Sequence, residues 1–298
     1  MNIERKTLLI SASLAFVLAL WGISMALYTG SGVIMLDGAY NLLSSVMAIL
    51  GLRIAMLTSE PYNKRYPMGY FAFEPLLVVV KGISILLLVV FAISSNIQTL
   101  LDGGREPQVG LMLIYVVPAV ICCVLAWFFC QRAFEQKPSS ILNAEKQGWL
   151  LNAIITGSIG VALVLVMGIQ ETAFGWVARY VDQVLVIVFS ILFLRDPYLL
   201  VKNGMKEISL SSPDTELTQD VTHALKNQVS HAEFEVTQTL VMKMGRRWWV
   251  TVEVRSIEPH MSVKSYEAFR QELRAMVSTY YDDHFTDVIL LDLDSDTA

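Results

Sequence analysis

Six long apolar runs dominate the first two thirds of the chain: residues 7–29, 33–57, 71–98, 110–133, 148–169 and 177–195. A helix that crosses the hydrocarbon core of a bilayer needs about 20 mostly apolar residues. Each run meets or nearly meets that length, and the connections between them are short. The pattern predicts six transmembrane helices. The N-terminal MNIERKTLL, basic then apolar, superficially resembles a signal peptide. Its apolar run continues past Trp21 to Tyr28 with no small-residue cleavage site, which predicts a retained span.

Near Lys202 the pattern changes to that of a soluble domain. Ser212-Pro213-Asp214 starts a helix that runs to about Gln228. Phe234, Val236, Leu240 and Met242 predict a strand, and Gly245-Arg246 a turn. Trp248, Val250, Val252 and Val254 alternate against Thr251, Glu253 and Arg255 in a second strand. Val263, Tyr266, Phe269, Leu273, Met276 and Tyr280 recur at helical spacing. A last strand runs from Thr286 to about Leu293. The expected architecture is an all-α six-helix membrane domain over 1–202, followed by a small cytoplasmic α+β domain of order αββαβ over 203–298.

Composition agrees with this division. Of 298 residues, 54% are hydrophobic and only 16% charged, against about 25% charged in a soluble domain. That excess excludes a single-domain soluble enzyme, a disordered chain and a disulfide-stapled module. Residues 1–202 carry 13 Lys+Arg and 11 Asp+Glu, residues 203–298 carry 9 and 16, so the acidity lies in the tail. Arg5, Lys6, Arg53, Lys64, Arg65, Arg132, Lys137, Lys146, Arg195 and Lys202 fall on one side of the six spans, and only Arg105 and Arg179 on the other. The positive-inside rule then places both termini in the cytoplasm. An open sheet with an acidic surface favours a dimeric partner. No basic patch interleaved with aromatics points to nucleic acid. Cys122, Cys123 and Cys130 share one apolar run and read as packing residues.

Polar side chains inside the spans are few, and such groups mark pathways because they are costly there. Asp37 and Asn41 are four apart on one helix face, and Ser44 continues the stripe. Glu74 and Lys81 share a face of the third span, Asn152 and Thr156 a face of the fifth, and Asp182 lies near the outer end of the sixth. Carboxylate, amide and hydroxyl oxygens suit hard or borderline divalent cations. Structural readings stand beside this one: Asn152 and Thr156 as interhelical hydrogen-bond partners, Glu74 and Lys81 as an ion pair, Asp182 as an interfacial group. The chain offers no nucleophile–base arrangement, no H-E-x-x-H and no Gly-rich phosphate loop, so it reads as a non-enzyme. All four histidines, His223, His231, His260 and His284, lie in the tail. His231, His260 and His284 with Asp292 are weak candidates for accessory metal sites, without ligand-pair spacing.

The six spans, the αββαβ tail, the Asp37-xxx-Asn41 pair, the loop NKRYPMGYFAFE from Asn63 to Glu74, the stretch AEKQGWLLN from Ala144 to Asn152, and Asp182 together resemble the cation diffusion facilitator family. The resemblance implies a homodimeric exporter of divalent metal driven by inward proton flow, here in a bacterial inner membrane. It implies a ferredoxin-like, metallochaperone-like cytoplasmic domain. It implies no cofactor, only a transported ion: Zn, Mn, Fe, Co or Cd. It also implies a metal site of two residues four apart on the second span and two on the fifth. Carried over, these are Asp37, Asn41, Gly148 and Asn152, with Gly148 a position that lacks a side-chain ligand. The family pattern is mostly Asp, with one His or Asp on the fifth span, so this chain retains one negative charge there. A dication at such a site is under-neutralised. A harder, more hydrated ion such as Mn²⁺ or Mg²⁺ tolerates amide and water ligands better than zinc does. Glu74, Lys81, Asp182, Thr156 and Ser44 are expected along the pathway or in proton coupling. The alternative is a degenerate member that does not transport, with Lys81 as a built-in cation and the tail as an interaction or sensing module.

Overall fold

The computed structural model describes residues 3–58, 64–66, 69–136, 140–170, 175–213, 216–227, 233–245, 247–257 and 262–291. Six of its helices are long and apolar enough to cross a membrane. They are α1 (Ile3–Thr29), α2 (Gly32–Leu57), α3 (Phe73–Leu101), α4 (Val109–Gln136), α5 (Ser140–Gln170) and α6 (Ala178–Phe193), the last continued by α7 (Arg195–Ile208). The break between α6 and α7 falls at Leu194, three residues before Pro197. Proline has no N–H, and its ring collides with the carbonyl four residues back, which here belongs to Phe193. The fifth helix begins eight residues before the predicted span, because Ala144, Glu145, Lys146 and Gln147 are good helix formers although they are not apolar.

The chain divides into two compact units. The first comprises Met1–Arg53 and Val80–Val201. Within it α4 packs against α1 and α5. Tyr115, Met112, Cys123 and Cys130 of α4, Ile34 of α2 and Leu163 of α5 are almost fully buried. The cysteines are thus packing residues in free thiol form. Apolar side chains such as Leu27, Leu87, Phe91, Leu125 and Leu165 are left exposed, as lipid-facing positions require. Helices α1 and α2 approach backbone to backbone at Gly22 and Gly38. A Cβ on Gly38 would stand 2.8 Å from the Ile23 amide nitrogen, and one on Gly22 3.0 Å from the Gly38 Cα. Small residues permit this close crossing, which sits beside Asp37.

The second unit comprises Ile54–Val79 and Lys202–Ala298. Its elements after α7 are α8 (Glu216–Asn227), β1 (Phe234–Met244), β2 (Arg247–Ser256), α9 (Val263–Tyr280) and β3 (His284–Leu291). The order αββαβ is the one the periodicity predicts. The sheet order is β1-β2-β3, with β2 antiparallel to β1 and parallel to β3. Alternation puts Val250, Val252 and Val254 of the central strand on the buried face. They pack on Val221 and Leu225 of α8 and Phe269, Leu273 and Val277 of α9. Phe234 stacks on Phe269 at 5.0 Å. Ser262 caps α9 by accepting from the Lys264 amide at 3.2 Å. The hairpin turn uses Gly245 at φ 62°, a conformation that glycine adopts without strain. Its partner in the predicted turn, Arg246, lies outside the described residues.

Candidate functional site

Asp37, Asn41 and Asn152 come together in the first unit. The Asn41 amide donates from Nδ2 to the Asp37 carbonyl at 2.9 Å, the i, i+4 contact of one helix face. Asn152, from α5, donates from Nδ2 to Asn41 Oδ1 at 3.2 Å. Asn41 is 3% exposed and Asn152 half-buried, so the bond between them is partly shielded between α2 and α5. A fourth member comes from α4: the Tyr115 hydroxyl donates to Asp37 Oδ2. Nothing in the run LMLIYVVP distinguishes Tyr115 from a packing residue, so the sequence offers no sign of it. Gly148 lies one turn before Asn152 on α5, and a Cβ there would meet nothing within 4 Å. The position has room for a side chain that this chain does not supply.

The cluster is one carboxylate, two carboxamides and a phenol. All its side-chain donors toward a ligand are oxygens, which suits hard or borderline cations. Among the described residues no three His, Cys, Asp or Glu side chains gather into a metal-binding group.

Other predicted residues are placed elsewhere. Thr156, four residues after Asn152, is fully buried, and its hydroxyl has no hydrogen-bond partner among the described residues. Ser44 is hydrogen-bonded to Tyr40, one turn back on α2. It is Ser45 that continues the buried stripe, at i+4 from Asn41, donating to the Ala12 carbonyl of α1 at 2.9 Å. Glu74 belongs to the second unit, where Thr58 donates to its Oε1 at 3.4 Å. Lys81 belongs to the first, half-buried on α3. His284 donates from Nδ1 to the Tyr281 carbonyl at 2.8 Å, a local bond at the start of β3. His231, His260 and Asp292 lie outside the described residues.

Asp182 has a structural task. It is 5% exposed and accepts from the Ser31 hydroxyl at 2.6 Å and the Gly32 amide at 2.8 Å. It therefore caps the N-terminus of α2 from another helix, where amide donors lack intrahelical acceptors. Asp182→Ala should destabilise the protein by about 1–3 kcal/mol, the cost of leaving such donors unsatisfied. Asp182→Asn, which keeps an acceptor, should cost less. Thermal unfolding in detergent reads both, and equal stability of the alanine variant would contradict the capping role.

A family profile described as the cation efflux transmembrane domain matches residues 8–209, more than half of the chain. The chain belongs to this family, the cation diffusion facilitators. Its curated relatives include two proteins named zinc transporter ZitB. That of Escherichia coli (strain K12) is 20% identical over 253 residues, covering 85% of this chain and 76% of the relative. That of Pectobacterium atrosepticum is 22% identical over 240 residues, covering 78% and 70%. Membership makes this facilitator an integral membrane transporter of metal cations. Its six spans and three-stranded C-terminal domain fit that architecture.

Proposed function

We propose that this facilitator exports a divalent metal cation from the cytoplasm in exchange for protons, through a site centred on Asp37. The observation that carries the reading is the convergence of Asp37, Asn41 and Asn152, from α2 and α5, on one hydrogen-bonded cluster. Zinc is the cargo named for the relatives, and the all-oxygen donor set accepts Mn²⁺ as well. Both termini and the C-terminal domain lie in the cytoplasm, supported by the excess of Lys and Arg on that side of the spans. The C-terminal domain joins two copies into a homodimer.

The non-transporting alternative needs Lys81 seated on Asp37. The hydrogen bond that Tyr115 donates to Asp37 favours transport instead, since it holds the carboxylate in the cluster with Asn41 and Asn152.

Uptake of radioactive Zn²⁺ and Mn²⁺ into everted membrane vesicles tests direction and cargo together. Accumulation driven by an acid interior is expected, and none for either ion would overturn the reading. Tyr115→Phe refines it. The ring keeps its packing, so fold stability should change by only about 1 kcal/mol. Asp37 loses its orienting donor, and transport efficiency should fall about tenfold or more, the scale of a lost hydrogen bond to a charged group. Unchanged kinetics in the same vesicles would remove Tyr115 from the site.

A further inference from the structure

We propose that Thr156 of α5 and Ser190 and Gln183 of α6 supply a second set of oxygens at the Asp37 cluster, which accept the hydrogens of the waters that the cation keeps as it passes. The proposal rests on the transport reading above and concerns the hydration of the ion at that site.

Hydroxyls on these spans commonly close on their own helix. Thr29, Ser84, Ser94 and Ser158 each donate to the carbonyl four residues back, at 2.7–2.8 Å. Thr156 is two residues from Ser158 on the same helix, yet it makes no such bond. The hydroxyl oxygens of Thr156 and Ser190 and Oε1 of Gln183 have no hydrogen-bond partner among the described residues. Thr156 and Ser190 are fully buried and Gln183 is 1% exposed. A buried oxygen without a donor destabilises the fold, the more so inside a membrane. Three of them within one small unit point to a donor that arrives during the transport cycle.

Two contacts set the level of these oxygens. Successive spans alternate in direction, so α5 runs opposite to α2 and α6 runs with it. Asn152 of α5 meets Asn41 of α2. Thr156, one turn beyond Asn152 on the same face, is therefore level with Asp37, one turn before Asn41. On α6, Asp182 accepts from the Gly32 amide of α2. Ser190, eight residues past Asp182, and Asn41, nine past Gly32, both lie about 12–14 Å deeper along their helices. Gln183 shares the face of Ser190, two turns back toward the Asp182 end. Helices α5 and α6 pack on one another. The three oxygens thus extend from the level of the cluster to that of Asp182.

The cluster itself is poor in ligands. It has one carboxylate, and Asn41 Oδ1 already accepts from Asn152. Gly148 supplies no ligand, although a Cβ there would meet nothing within 4 Å. An ion that prefers six oxygen ligands, such as Mn²⁺, therefore keeps part of its water here. Water held by a dication is a strong hydrogen-bond donor, and in a dry interior each of its hydrogens needs an acceptor. Thr156, Ser190 and Gln183 provide acceptors of that kind. Zn²⁺ settles for four ligands and depends on them less.

Calorimetric titration with Mn²⁺ and separately with Zn²⁺, joined to thermal unfolding, tests this on the full-length protein in detergent. The triple variant Thr156→Val, Ser190→Ala, Gln183→Met removes the oxygens and nearly keeps the volume. Without metal it should unfold at the parental temperature or above, because unpartnered polar groups give way to apolar ones. Its affinity for Mn²⁺ should fall about tenfold, the scale of a lost hydrogen bond to a charged group. Its affinity for Zn²⁺ should fall less. Thr156→Val alone should show the same ordering of the two ions with a smaller loss, and Thr156→Ser, which keeps the hydroxyl, should bind as the parent does. A metal-free triple variant that unfolds below the parental temperature assigns these residues a structural task and overturns the proposal. Unchanged Mn²⁺ affinity, or an equal loss for both ions, overturns it too. If Asp37→Asn abolishes binding while the triple variant binds as the parent does, the proposal fails and the Asp37 reading stands. A parent that binds neither ion overturns both.

Discussion

Asp37→Ala should reduce metal flux to the level of empty liposomes. Asp37 is the one carboxylate of its cluster, and Asn41, Asn152 and Tyr115 are neutral partners. An ion that has left water needs compensating charge. At 4 Å and an effective dielectric of 20, a single charge pair is worth about 4 kcal/mol. That alone corresponds to about a thousandfold in affinity, before the double charge of the ion is considered. The alanine variant also leaves the Tyr115 hydroxyl without its acceptor, at a stability cost of about 1–3 kcal/mol. Asp37→Asn separates the two effects, because it keeps an acceptor for the phenol and removes only the charge. Equal loss of flux in both variants, with Asp37→Asn folding as the parent does, assigns the defect to charge. Parental flux in Asp37→Asn would remove Asp37 from the site.

Asn41→Asp combined with Asn152→Asp should tighten divalent binding at neutral pH at least tenfold. The change places two further carboxylates against Asp37 and supplies the charge that a dication lacks here. It also removes the amide donors that join Asp37, Asn41 and Asn152. Without metal the carboxylates repel, so the metal-free variant should unfold at a lower temperature than the parent. Metal should restore that temperature and then exceed it, because a ligand bound only by the native state stabilises in proportion to its affinity. Thermal scans with and without Zn²⁺ or Mn²⁺ read both effects. A variant stabilised no more by metal than the parent would show that the two amides do not face the ion.

Hydropathy made the six spans legible, and strand alternation with the spacing of Phe269, Leu273 and Val277 made the C-terminal fold legible. Asp37, Asn41 and Asn152 were visible because polar groups four apart are conspicuous in apolar helices. What escaped did so for particular reasons. Tyr115 reads as packing until another helix brings a carboxylate to its hydroxyl. Asp182 caps a helix that begins 150 positions earlier, a relation only tertiary structure expresses. Ser44 and Ser45 are adjacent, and helix phase alone decides which one faces α1. The first turns of α5, from Ser140, fall in a polar stretch that hydropathy excludes from the span but helix propensity includes.

Passage of a divalent cation through the Asp37 cluster against a flow of protons can be read directly. The most direct measurement is flux into proteoliposomes that hold a metal dye and a pH dye together, with Zn²⁺ and Mn²⁺ offered in turn. Saturable metal entry, proton movement in the opposite direction, and loss of both signals in Asp37→Asn are expected. Folded, reconstituted protein that moves neither ion, or moves one equally well without the Asp37 charge, would contradict it.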